Sequence, residues 1–181
     1  MHEKSKNSVT VCTLAEGSHF HGLPALINSL HKSGFRGDLI VGYRGILPKW
    51  LKQLPAAESD YVSAALNAEG LKISPIELTH PRLPLPMMKP HLISKCFSGI
   101  RENDVDGVLF LDSDIVCNAP WSLLDAWVRT DLLLVQDYGY PIVPPPHPWR
   151  QAWGDLVKEC GYNLNNLYVY CISAWVGFSR C

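Results

Sequence analysis

Short apolar runs alternate with amphipathic segments along most of this chain, and that alternation limits the fold more than any other feature. "SVTVCTL" (8 to 14), "GDLIVGYRG" (37 to 45), "GVLFL" (107 to 111), "DLLLVQD" (131 to 137) and "LYVYCISAWVGF" (167 to 178) read as extended segments. "GLKISPIEL" (70 to 78) is a weaker strand, interrupted by Pro75. Between the first two runs, Leu23, Leu26, Ile27 and Leu30 recur at helical spacing, and Gly34 supplies a stop. Pro48 opens a helix in "PKWLKQL" (48 to 54), and further helices are predicted over 89–100, 121–128 and 150–161. Strand alternating with helix is the pattern of an α/β fold, a mainly parallel, Rossmann-like sheet flanked by helices.

The chain of 181 residues is the size of one domain, and 47% hydrophobic against 18% charged residues is a globular composition. A formal net charge of −1 gives no electrostatic footprint for nucleic acid or a bilayer surface. No run reaches the roughly 18 apolar residues of a membrane-spanning helix. The opening "MHEKSKNSVT" lacks the apolar core of a secretory signal. Six cysteines at irregular spacing, with no CxxC, favour reduced, buried thiols in a cytoplasmic protein over a disulfide framework or a zinc site. The chain stops at Cys181 just after an apolar run, as a single domain over 1–181 would if its C-terminal part were cut short.

The chemistry concentrates in "GVLFLDSDIVCNAP" (107 to 120), where Asp112 and Asp114 follow a buried strand. In an extended segment the two carboxylates share one side, with Ser113 opposite. They repel unless a cation lies between them, and Mg²⁺ or Mn²⁺ takes one or two carboxylates with water and phosphate oxygens. Ligands of open parallel sheets bind beyond the carboxyl ends of the strands, where this pair falls. A plain solvated turn is the competing account of an Asp-Ser-Asp.

"VLFLDSDIVCNAPWSLL" resembles the DxD segment of nucleotide-sugar-dependent glycosyltransferases of the GT-A fold, in particular the retaining, glycogenin-like and lipopolysaccharide galactosyltransferase-like group. "VTVCTLAEGSHFHGLPALINSLHKSGFRGDLIVGYRG" is similar to the opening strand, helix and second strand of that group, and "YVYCISAWVGFSR" to a later strand. The resemblance implies a metal-dependent transfer of a hexose from a nucleotide diphosphate sugar, UDP-linked, to a saccharide, lipid-linked sugar or protein acceptor. By the same resemblance Asp112 and Asp114 hold Mn²⁺ or Mg²⁺, with Ser113 between them at the donor site. Thr13, Leu14 and Glu16 then line the base and ribose, and Tyr43 lies on the same sheet edge. A basic residue of the helix over 89–100 reaches the donor, with Lys95 preferred to Lys89. Asp137, at a strand end, is the candidate general base should the reaction invert.

Two positions depart from the family pattern. His147, within "PPPHP", reads as a surface residue rather than the family's third metal ligand, and Ala174 stands where a glycine would let the backbone approach the donor sugar. The alternatives are a catalytically silent GT-A-like domain that binds a nucleotide sugar or a partner, and a haloacid-dehalogenase-like phosphatase. The phosphatase motif continues with Gly-Thr or Gly-Val, whereas Ile115 follows here.

Overall fold

A computed structural model describes residues 9–52, 70–79, 83–99, 105–136, 144–162 and 171–180. Among these residues six strands form one sheet in the order β3-β2-β1-β4-β6-β5. They are β1 (Val9–Ala15), β2 (Asp38–Tyr43), β3 (Lys72–Glu77), β4 (Gly107–Leu111), β5 (Leu132–Gln136) and β6 (Cys171–Ser179). The helices are α1 (Leu23–Ser33), α2 (Lys49–Lys52), α3 (Lys89–Gly99), α4 (Trp121–Arg129) and α5 (Pro148–Glu159). The chain divides into two compact units, one of Met1–Leu133 with Ala174–Cys181, the other of Leu134–Ser173.

In the first unit β1 pairs parallel with both β2 and β4, through Val11↔Leu39 and Val9↔Gly107, and β2 pairs parallel with β3. β6 runs antiparallel to β4, with Leu111 opposite Trp175. The chain steps outward from β1 to β2 and β3, then returns to the other side of β1 as β4. That reversal opens a crevice at the carboxyl ends of β1 and β4, the place where open α/β sheets bind ligands.

Alternation along the strands divides the core. Val9, Val11 and Ala15 face α1 and α4, packing with Leu23, Leu26 and Trp121. Cys12 and Leu14 face α3, packing with Leu92 and Cys96. The helical stripe of α1 is wholly buried at Leu23, Leu26, Ile27 and Leu30. Each such side chain contributes about 1.5–3 kcal/mol of hydrophobic stabilisation. The helix ends at Gly34, whose φ of 101° lies in the left-handed region that closes helices without a Cβ clash.

Strand β3 tolerates Pro75 because of where that residue falls. Lys72 and Leu78 donate their amides to Gly37 and Tyr43 at 2.8 Å, so even-numbered amides of this stretch point toward β2. The nitrogen of Pro75 therefore points away from the sheet, where no ladder bond is lost.

The second unit contains α5, which starts at Pro148. His147 caps it, its Nδ1 accepting the Trp149 amide at 3.2 Å. The rings of Trp149 and Trp153 stand 6.3 Å apart along this helix.

Candidate active site

The strand that carries the paired aspartates ends one residue before them. The Asp112 amide donates to the Ala174 carbonyl at 2.8 Å, adding one bond to the β4–β6 ladder, and the Ile115 amide then closes a turn on the Asp112 carbonyl at 3.1 Å. The pair thus sits on a turn, not on an extended segment. The outcome still places both aspartates on one cleft while Ser113 is buried between them, 3% exposed. Ala174, read as crowding the donor, meets the site through its carbonyl.

Two contacts with α1 hold this turn and the loop after it. A Cβ built on Gly22 would stand 2.6 Å from the Ser113 carbonyl oxygen, so only glycine lets the start of α1 lie flush against the turn. Further on, the Cys117 amide donates to Ser29 Oγ at 2.9 Å, and the Ser29 hydroxyl donates to the Leu26 carbonyl. The loop from Asp112 to Pro120 is therefore fastened to the buried face of α1.

The cleft encloses about 220 Å³ and is lined by Leu14, Glu16, His19, Leu85, Pro86 and Lys89 together with Asp112, Ser113 and Asp114. Lys89 opens α3, and its Nζ lies 2.8 Å from Asp112 Oδ1 and 4.9 Å from the centroid of the Phe110 ring. Its side chain is only 14% exposed, so the ammonium is held in place by a carboxylate and an aromatic face. Arg44 grips Glu16 with both ends of its guanidinium, Nε to Oε2 at 2.9 Å and a terminal nitrogen to Oε1 at 3.2 Å, and also donates to the Leu83 carbonyl. Asp114 is exposed and makes no ion pair among the described residues.

The sequence-predicted residues separate by geometry. Leu14, Glu16, Asp112, Ser113 and Asp114 line the cleft together. Thr13 is fully buried, and alternation puts it on the α1 face beside Val11 and Ala15. Tyr43, opposite Ala15 in register, packs on that same face, away from the cleft. Lys95 is exposed on α3 and does not line the cleft. Six residues past Lys89 it is turned ~240° around the helix, at ~100° per residue. Asp137 lies outside the described residues. His147 caps a helix, a structural use of its ring.

Lys89, placed second to Lys95 from the sequence, lines the cleft, and His19, Leu85 and Pro86 are cleft residues that sequence reasoning passed over. His19 comes from a 3₁₀ turn (Gly17–His21) that curls back at the end of β1. The signal for Lys89 is its place at the first turn of its helix, at the carboxyl edge of the sheet. For His19 the signal is weak, since a histidine four residues past β1 reads as loop.

Among the described residues no three His, Cys, Asp or Glu side chains converge as a metal cage. Two carboxylates on one wall, one of them exposed, do fit a hard divalent cation whose remaining positions are filled by water and phosphate oxygens. Among the described residues no helix is long and apolar enough to cross a membrane. Cys12, Cys96, Cys117, Cys160 and Cys171 are free thiols, the first three buried, Cys171 half-buried and Cys160 exposed.

Comparison with solved structures gives the fold its name. The glycosyltransferase GlyE of Streptococcus pneumoniae TIGR4 superposes with a TM-score of 0.57 at 11% identity, over 94% of this chain and 33% of that one. The galactosyltransferase LgtC, in complex with donor and acceptor sugar analogs, superposes with a TM-score of 0.54 at 12% identity, over 94% of this chain and 57% of LgtC. The chain has the GT-A fold. An active-site mutant of LgtC gives a TM-score of 0.55 at 14% identity, over 94% of this chain and 57% of that one. No family profile matches the sequence, and no curated protein matches it. This GT-A chain spans between 33% and 57% of the length of these structural neighbours.

Proposed function

We propose that this GT-A chain binds a nucleotide diphosphate sugar, UDP-linked, in the crevice at the carboxyl ends of β1 and β4 and transfers its hexose to an acceptor. The observation that carries the reading is the meeting of Asp112, Asp114 and Lys89 in one cleft at the topological switch point of the sheet. The likeness to GlyE and LgtC supports a glycosyl transfer on this scaffold. The acceptor is a saccharide, a lipid-linked sugar or a protein.

Asp112 and Asp114 would hold Mn²⁺ or Mg²⁺, which when bound supplies a Lewis acid for a departing nucleotide diphosphate. The chain's own groups do the rest. Lys89 offers a fixed ammonium to phosphate oxygens, a charge in place before the donor arrives. Leu14, Leu85 and Pro86 make an apolar wall that excludes water from one flank. The Arg44 clamp keeps Glu16 oriented at the end of β1, where it can accept hydrogen bonds from ribose hydroxyls. The cleft, about 220 Å³, is smaller than the roughly 300–1,000 Å³ of whole-ligand pockets, so it suits the diphosphate and its cation, with the sugar and base extending beyond.

Calorimetric titration of UDP into the purified chain, with and without Mn²⁺, tests the reading. Binding that requires Mn²⁺ supports it, and no binding under either condition overturns it. Release of free sugar from a bound UDP-sugar then separates an enzyme from a silent binding domain.

A further inference from the structure

The ion pair inside the cleft leaves little uncompensated negative charge for a site that takes a divalent cation on its own. The Lys89 ammonium already stands 2.8 Å from an oxygen of Asp112, one of the two carboxylates a divalent ion needs. It is not a surface lysine that swings aside at no cost, because its side chain is 14% exposed and its ammonium lies over the ring of Phe110. Among the described residues the other charges of the cleft add little. Glu16 is held by both ends of the Arg44 guanidinium, which leaves Asp114 as the one carboxylate of the cleft without an ion pair among the described residues.

We propose that Lys89 makes divalent-cation binding at Asp112 and Asp114 conditional on a nucleoside diphosphate. The proposal rests on the donor-site reading above and adds an order of events to it. Without the diphosphate, an incoming cation meets the charge of Lys89 across a carboxylate that is already neutralised, and it binds weakly. A diphosphate brings oxygens that complete the cation's shell, and it also offers the ammonium acceptors other than Asp112. The carboxylate is then released to the metal. The two ligands therefore raise each other's affinity by the same factor, as linkage requires. Lys89 is in this sense a positioning residue for the cation. The cleft stays without a tightly held metal until the group that needs the metal has arrived.

The test measures Mn²⁺ binding directly, from the electron paramagnetic resonance signal of the free ion. Wild type, Lys89→Met and Lys89→Arg are compared in the absence of nucleotide and with UDP, after circular dichroism has shown each to be folded. Lys89→Met is expected to bind Mn²⁺ alone on the order of tenfold more tightly than wild type, since a like charge has been removed from beside the site. In that variant UDP is expected to strengthen Mn²⁺ binding much less than it does in wild type. Lys89→Arg, which keeps the charge, is expected to follow wild type, and it carries the test if the methionine variant does not fold: tight Mn²⁺ binding without UDP in either charged form overturns the proposal. Equal or weaker Mn²⁺ binding by Lys89→Met, in a protein whose wild type binds UDP with Mn²⁺, also overturns it and leaves the donor-site reading intact. Failure of wild type to bind UDP in the presence of Mn²⁺ overturns the donor-site reading and this proposal together.

Discussion

Gly22 and Ser113 approach so closely that no side chain fits between them: a Cβ on Gly22 would lie 2.6 Å from the Ser113 carbonyl oxygen and 3.1 Å from the Asp114 Cα. Both neighbours are backbone, so neither can rotate away. Gly22→Ala is expected to push the Asp112–Ile115 turn off α1, lowering stability by about 1–3 kcal/mol. It should also weaken Mn²⁺-dependent UDP binding. Thermal melting and calorimetry on one preparation check both effects. A variant that binds UDP normally would show that the turn is not placed by this contact.

Asp112→Asn and Asp114→Asn are each expected to abolish metal-dependent UDP binding, while differing in stability. Asp114 is exposed and outside any ion pair among the described residues, so its neutralisation should leave the melting temperature unchanged within about 0.5 kcal/mol of stability. Asp112→Asn removes the carboxylate beside the largely buried Lys89 and should cost about 1 kcal/mol. Unchanged UDP binding in both variants would remove the aspartates from the donor site.

Ser29 holds the loop beyond the aspartates through the Cys117 amide. Truncation leaves that buried N–H without its acceptor, so Ser29→Ala is expected to destabilise by about 1–3 kcal/mol. Urea unfolding reads this as a lower midpoint at unchanged slope.

Alkaline pH should find Cys12. Burial, with a hydrogen bond and charge coupling to Cys96 behind it, pushes this thiol well above its ordinary value of 9.0. The folded pKa is raised, so the neutral thiol's contribution is fully present below about pH 9 and is lost as pH rises toward the folded value. Over that window one such group changes stability by about 1.4 kcal/mol per pH unit. Melting temperatures at pH 7.5 and pH 10.5 should fall further in wild type than in Cys12→Ala. Equal falls would assign the alkaline sensitivity to other groups.

Much of the architecture was legible because it rests on local chemistry. Gly107–Leu111 is a strand as read, since five residues with no polar side chain can only be buried, and α1 stops at Gly34 because that turn needs a left-handed residue. The aspartates stood out as charges at the end of a core strand. Thr13 was read as lining the base and ribose, whereas strand parity puts it on the α1 face; Tyr43 lies at the sheet edge as read, and packs on that same face. Leu14 faces α3, so its neighbour Thr13 must face α1, and Tyr43 follows through its pairing with Ala15. The choice of lysine depended on helical phase: α3 begins at Lys89 as read, and the turn that puts Lys89 on the cleft carries Lys95 away from it. Pairing of β6 against β4 was out of reach because it joins segments more than sixty residues apart.

Pro75 carries a meaning beyond its tolerance in β3. Among the described strands β3 stands at the rim of the sheet, and its outward face is where a strand from another molecule would add itself. Outward-pointing amides on an edge strand are a template for such addition. Pro75 removes one of those donors at the middle of the row, so an incoming strand would meet a gap in the ladder and the bulk of a pyrrolidine ring. The residue that made this segment look like a poor strand is thus a guard against fibre-like association between copies of the protein.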